Sequence, residues 1–331
     1  MFEGKKILIT GGTGSLGRAL TKRLLKYDVD TIRVFSRNES KQVEMEDEIR
    51  DERLRFFIGD IRDEARLARA LEDVNIVFHA AALKHVPVVE YNPFEAVKTN
   101  VMGTQNLIDA CISQKVEIAV GVGTDKAVSP LNAYGATKLL MEKLFVTASN
   151  YLNKNKYKTK FIALRYGNVL GSSGSVVPRF INQIKAGEKM TITNPSMTRC
   201  SITMDEALNF ILKSTNTGHG SDIFVPKLKA YSIGELKDAL VELLGDPGQE
   251  DIPIRPGEKI HEVLINSDEM RTAWETDSDY VIVDANLTDE KVKSMYPGFA
   301  KVTTDQQYSS DKVEMISKEE LKKAILDSGL V

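Results

Sequence analysis

Tyr134 and Lys138 stand four residues apart in a stretch that reads as helix, so their side chains share one face. A lysine charge in that position lowers the phenol's pKa from its reference of about 10 towards what a general base needs near neutrality. Thr124, upstream of the tyrosine and just past a predicted strand, adds a hydroxyl that can orient a substrate. Directly after it come Asp125 and Lys126, an acid and an amine side by side, equipped to move protons. An ion pair opposes that use, because each charge stabilises the other's ionised form. Bringing the lysine from about 10.4 to roughly 7.5 would cost about 4 kcal/mol, which burial and the Lys138 charge are expected to supply. The two are read as a coupled pair whose proton placement the sequence leaves open.

A second constellation is the turn Gly11-Gly12-Thr13-Gly14-Ser15-Leu16-Gly17. It satisfies G-x-G-x-x-G and follows an apolar run while opening an amphipathic one, the strand–turn–helix context that a dinucleotide pyrophosphate requires. The helix N-terminus there offers unpaired N–H groups and a favourable dipole. Roughly 20 residues on, where an NAD enzyme places a carboxylate for the ribose hydroxyl, stands Ser36-Arg37. A guanidinium binds a 2′-phosphate and a carboxylate would repel it, so NADP is favoured over NAD. Asp60 and Ile61 are expected at the adenine edge, and the small residues Ala80, Ala81 and Ala82 leave room for the cofactor.

These groups need a scaffold that ends several strands on one side. Short runs apolar on both faces are predicted as strands at Lys6–Thr10, Thr31–Phe35, Arg55–Ile58, Ile76–Ala80, Ile118–Val122 and Phe161–Arg165. Helices are expected over Ser15–Lys26, Pro93–Gln114, Ala133–Tyr151 and Asp205–Ser214, with a further strand at Asp222–Val225. The alternation implies an α/β fold, an NAD(P)-binding Rossmann doubly wound parallel sheet with a smaller C-terminal α/β substrate lobe. The expected division is 1–170 plus about 203–226 for the cofactor domain, and about 171–202 plus 227–331 for the lobe.

The bulk numbers narrow the functional class. The 331 residues are 42% hydrophobic and 27% charged, with a net charge of -3. That balance gives no electrostatic reason to expect a nucleic-acid or membrane partner. The two cysteines, Cys111 and Cys200, form no disulfide framework, and His79, His85, His219 and His261 share no ligand spacing, so no metal is expected. The least polar run, Val74 to Leu83, is half the ~20 residues of a membrane span. Met1 to Lys6 leads directly into a strand, and a cytoplasmic location is expected.

The stretches GGTGSLGRAL, FFIGDIRDEARL, HAAALKHVPVVEYNPFEAVKTN, GTDKAVSPLNAYGATK, RYGNVLGSSGSVVPRF and RPGEKIHE, with Tyr308-Ser309-Ser310, together resemble the inverting UDP-N-acetylglucosamine 4,6-dehydratases, extended short-chain dehydrogenases that open pseudaminic acid and capsule-precursor pathways. The dTDP-glucose 4,6-dehydratases carry Asp-Glu where this chain has Asp125-Lys126. The resemblance implies a lyase with tightly bound NADP and UDP-N-acetylglucosamine as substrate. Tyr134 would take the O4 proton, Lys126 would be the C5 base and Asp125 the acid for the C6 hydroxyl. It further implies that Asn168, Arg179, Arg199, Arg255 and Glu258 serve the nucleotide sugar, that Lys84 reaches sugar or cofactor, and that the chain forms dimer-based homo-oligomers up to hexamers. The chain departs from the family's usual pattern at Gly123 (Ser), Ser173 (Arg in many relatives) and Cys200 (aromatic). The competing readings are a UDP-sugar 4-epimerase, which needs no C5/C6 acid–base pair, a C5-retaining dehydratase, and an NADP-sensing binding protein without turnover.

Overall fold

The computed structural model describes residues 1–150, 152–153, 156–172 and 174–331. From the N-terminus, β1 (Lys6–Thr10), α1 (Ser15–Leu24), β2 (Thr31–Ser36), α2 (Glu39–Ile49), β3 (Leu54–Ile58), α3 (Glu64–Ala70) and β4 (Ile76–His79) alternate. Then α4 (Val86–Tyr91), α5 (Pro93–Ala96), a π-helical turn at Val97–Met102 and α6 (Gly103–Ser113) lead to β5 (Ile118–Val122), α7 (Ala133–Ala148) and β6 (Lys160–Leu164). All six strands are parallel, in the order β3-β2-β1-β4-β5-β6, and Asp222–Pro226 continues the parallel ladder beyond β6.

The reason these strands lack polar alternation is visible in β1. Ile7 and Ile9 face the core shared with α1 and the helix Met204–Thr217, while Leu8 joins Leu107, Met141 and Phe145 on the opposite side. Both faces are covered, so both positions of the pleat are apolar. The expected helix Pro93–Gln114 is helical throughout, but its middle is widened into the π turn. Widening lets Asn100 turn inward, where its side-chain oxygen accepts from Leu83 N (2.8 Å) and its amide donates to Thr137 Oγ1 (3.0 Å). The expected helix Ala133–Tyr151 ends at Ala148, and Tyr151 lies outside the described residues.

The lobe is built on its own apolar cluster, with Phe180, Ile181, Met190, Tyr231, Leu236, Leu240, Leu321 and Ile325 buried between helices Val176–Lys185, Ile233–Leu244 and Lys318–Asp327. Its boundary differs from the expectation that all of 227–331 belongs to it. Asp279–Ile282 pairs antiparallel with Asp222–Pro226, followed by Ala273–Glu275 and Ala300–Lys301, so these strands finish the large sheet. Trp274 and Val281 bury against the same core as Ile7 and Ile9, which gives this segment its reason to leave the lobe.

Candidate active site

One cleft of about 1350 Å³ runs along the C-terminal ends of the parallel strands and on under the lobe, the crevice where open α/β sheets bind ligands. It is lined by Gly11, Thr13, Gly14, Ser15, Leu16, Gly17, Ser36, Arg37, Asp60, Ile61, Ala80, Ala81, Ala82 and Lys84 from the sequence-derived cofactor set. Thr124, Lys126, Tyr134, Lys138, Asn168, Arg179, Arg199, Arg255 and Glu258 line it too. Asp125 alone among the expected site residues stays behind the wall, fully buried.

The glycine turn is closed so tightly that side chains have no place in it. A Cβ on Gly17 would stand 2.5 Å from Gly12 Cα and O. Gly14 precedes α1 as its cap and has no side chain to accept from the first turn. A helix N-terminus behind a side-chain-free turn on the cleft wall fits a dinucleotide pyrophosphate. At the far end of the same wall, Arg37 stands 3.5 Å from Asp60, which also accepts from the Arg62 guanidinium at 2.7 and 3.0 Å. Burial disfavours the Asp60 charge, but the Arg62 hydrogen bonds and the Arg37 charge outweigh it and hold the carboxyl below its usual range. The carboxylate expected at the adenine edge is thus engaged with two arginines. The Ser36 hydroxyl is held by Gln42 Nε2 at 3.0 Å.

The catalytic turn hangs from β5 and β6. Gly123 N donates to Leu164 O (2.6 Å) and Asp125 N to Tyr166 O (3.1 Å). The first contact explains the departure at position 123, because a Cβ there would lie 2.2 Å from Leu164 O. Ser173, another departure, lies outside the described residues. Cys200 is buried in the strand Thr198–Ile202. The Thr124 hydroxyl donates to Asp125 Oδ1 (2.8 Å), and Lys126 Nζ donates to the same oxygen (3.0 Å) and to Asn168 Oδ1 (3.1 Å). Asp125 Oδ2 is buried with no partner among the described residues.

Electrostatics distinguish the two lysines. Burial raises the Tyr134 pKa, and what opposes it is the charge of Lys126 together with a hydrogen bond from Thr124. Lys138 instead donates to Val122 O (2.7 Å) and Met141 Sδ (2.8 Å). Burial brings it down to about 7, with Glu142 opposing. The Lys126 charge thus acts on the tyrosine, while the Lys138 amine is held by Val122 and Met141. Nor does burial free Lys126 of its proton. It acts in that direction, but the charges of Asp125 and Glu262 exceed it, Arg199 opposing them, and the amine is held above the ordinary lysine value.

The expected substrate residues separate into two groups. Burial and then the nearby Arg255 charge lower the Arg179 pKa, with Glu258 opposing. The two arginines form a positive end suited to a diphosphate. Asn168 points at Lys126 rather than at that end. Arg199 donates to the carbonyls of Thr198 (2.7 Å), Lys259 (3.0 Å) and Ile260 (3.0 Å), so most of its guanidinium is committed to the fold. Lys84 sits exposed on the loop after β4.

Two further groups escaped the sequence reading. Glu262 lines the cleft beside Lys126. His79, at the end of β4, is buried between Thr10 Oγ1 (2.7 Å) and Thr104 Oγ1 (3.0 Å), with its pKa brought down to about 3 by burial and then by the Lys138 charge. Neither shows a sequence signal, since burial beside a lysine is a property of the fold. Among the described residues no cluster of three or more His, Cys, Asp or Glu side chains could hold a metal, and no helix is long and apolar enough to cross a membrane.

The model of a family described as polysaccharide biosynthesis protein matches residues 7–284. The chain is 45% identical over 318 residues to the UDP-N-acetylglucosamine 4,6-dehydratase (inverting) of Campylobacter jejuni strain 81-176, covering 94% of each protein. It is 40% identical over 331 residues to the UDP-glucose 4-epimerase of Rickettsia rickettsii, covering 98% of this chain and 96% of that one. The X-ray structure of Pen from Bacillus thuringiensis, 39% identical, matches with a TM-score of 0.93 over 100% of both chains.

Proposed function

The chain belongs to the polysaccharide biosynthesis protein family, and from that premise we propose that it is a C5-inverting UDP-N-acetylglucosamine 4,6-dehydratase, a lyase working with bound NADP. The observation that carries the reading is the assembly of Thr124, Lys126 and Tyr134 at one point of the cleft, with Asp125 hydrogen-bonded behind them. The glycine cradle and Arg37 fit a phosphorylated dinucleotide. When bound, that cofactor would take hydride from sugar C4 and give it back at C6.

The remaining chemistry is proton transfer by this chain's own groups. Tyr134 Oη takes the O4 proton as the ketone forms, which acidifies C5–H. Lys126, as a free amine, takes the C5 proton, and Asp125 as carboxylic acid supplies the proton with which the C6 hydroxyl leaves as water. Elimination thus ends in the Lys126–Asp125 ion pair seen here, and one proton passing between them resets both. Protons leaving O4 and C5 equal those needed for water and for the new C5–H bond on the opposite face, which gives the L-configured 4-keto-6-deoxy product. Arg179 and Arg255 would neutralise the diphosphate.

Homo-oligomers fit this reading, because Val88, Tyr91, Phe94, Met102 and Leu140 on α4 to α7 expose apolar surface. The two free, buried thiols suit the reducing cytoplasm. The epimerase reading draws on the Rickettsia relative, yet it leaves the Asp125–Lys126 pair without a task. Incubation with UDP-N-acetylglucosamine in D₂O, followed by NMR, separates them. Dehydration gives a C6 methyl signal, deuterium at C5 and no net NADPH, whereas UDP-N-acetylgalactosamine as sole product would overturn the proposal.

A further inference from the structure

Glu262 is 3% exposed, yet one of its oxygens, Oε2, has no hydrogen-bond partner among the described residues. Its other oxygen lies 3.6 Å from Lys126 Nζ and 4.0 Å from Arg199 Nε. A buried carboxylate in that state is costly unless its charge has a use. The backbone around it is clamped from both sides. Glu262 N donates to Ser310 Oγ (2.9 Å), Ser310 N donates back to Glu262 O (2.8 Å), and Ser310 Oγ donates to Thr198 O (3.1 Å). The Tyr308-Ser309-Ser310 segment thereby fixes an acidic side chain against the catalytic lysine.

We propose that Glu262 is a third member of the Asp125–Lys126 pair, a positioning residue whose carboxylate holds the lysine amine against Asp125 and keeps their shared proton on the pair at working pH. The inference rests on the dehydratase reading for its meaning, and on geometry for its existence. Asp125, Lys126, Glu262 and Arg199 carry two negative and two positive charges. Moving one proton from Lys126 Nζ to Asp125 makes the base and the acid together and leaves that sum at zero. With Glu262 neutral, Arg199 would keep only the Glu258 carboxylate, 3.8 Å away, and the pair would shed its proton at lower pH. The other groups facing Lys126 are Tyr134 from α7, Cys200 and Tyr231 from the lobe strands, and Lys259 from the loop before Glu262. Of these, Lys259 adds positive charge that offsets Glu258 beside Arg199, so removing Glu262 would leave positive charge prevailing around the pair.

The test compares wild type with Glu262→Gln by two readouts. The first is the ¹³C resonance of lysine Cε, assigned to position 126 by its loss in Lys126→Met and titrated without substrate. The second is the pH profile of kcat with UDP-N-acetylglucosamine. In Glu262→Gln the lysine should titrate at least about one unit lower. Both limbs of the profile should move to lower pH together, with kcat down about tenfold or more at neutral pH and KM nearly unchanged. Glu262→Asp keeps the charge but withdraws it by a methylene, and should show a smaller shift in the same direction. It also serves if the glutamine variant fails to fold. Identical titration curves with unmoved limbs would overturn the proposal even if kcat fell. A wild type that forms no methyl product sinks the dehydratase reading instead, while the substrate-free titration still decides on Glu262.

Discussion

Replacing Arg165 by lysine keeps its charge and should still cost about 3–6 kcal/mol. Arg165, just after β6, is fully buried, and each of its five N–H groups has an acceptor. Nε and Nη2 donate to the two oxygens of Glu142 on α7 (3.0 and 2.5 Å). Nη1 and Nη2 donate to those of Glu269 (both 2.9 Å), and Nη1 also to Leu264 O (2.7 Å). An ammonium has three donors, so at least two buried acceptors lose their bond, at about 1.5–3 kcal/mol each for charged partners. That is a large part of the 5–15 kcal/mol typical of a whole domain. Urea unfolding followed by the fluorescence of Trp274, the only tryptophan and itself buried, would read the loss as a lower midpoint at constant slope. A loss under about 1 kcal/mol would refute the donor count. A second arm tests the same reasoning in reverse. Arg165→Met with Glu142→Leu and Glu269→Gln, which spares the Asn266–Glu269 helix cap, removes all three charges and should recover to within about 2 kcal/mol of wild type.

Lys138 has its pKa lowered in the fold from 10.5 to about 7. Above pH 7 the native state releases a proton that the unfolded chain keeps, so wild-type stability should climb by up to about 5 kcal/mol as pH rises to the lysine range. Urea midpoints of wild type and Lys138→Met across that window would show the climb absent from the variant, and equal slopes would contradict it. Arg37→Ala should weaken NADP about tenfold or more by calorimetry while leaving NAD unchanged, from the loss of a charge-assisted bond. Equal weakening of both would place the guanidinium elsewhere. Gly17→Ala puts a methyl 2.5 Å from Gly12 Cα; the turn must open, and dinucleotide affinity should fall by at least about tenfold in the same titration. Unchanged affinity would show that the turn can yield.

What the sequence made legible was whatever repeats locally. The strands β1 to β6 are four to six residues long and mostly apolar, and the glycine turn follows one of them, so sheet and cofactor cradle could be read together. The catalytic trio was visible because Tyr134 and Lys138 share a helix. Its electrostatics were not, because which lysine faces the phenol depends on how the turn at Asp125 folds back over β6. The resemblance gave Asn168 and Arg199 to the nucleotide sugar, and no local pattern announced their contacts with Lys126 and with backbone carbonyls. The π turn at Val97–Met102 has no periodicity of its own, and the strands at 273–301 are two to four residues long, too short to announce themselves.

The late return of Ala273–Lys301 to the large sheet bears on how the chain can be built and rearranged. During synthesis the strand Asp222–Pro226 emerges with one edge open, and it stays so until most of the lobe has been made. A fragment ending after that strand would present an uncovered ladder to any passing chain and would lose Trp274 from the core. Exchange of substrate lobes between relatives therefore has to take three pieces, the one that holds Val176–Lys185 and one on each side of this segment. A single cut near residue 227 would carry part of the cofactor domain away with the specificity it meant to move.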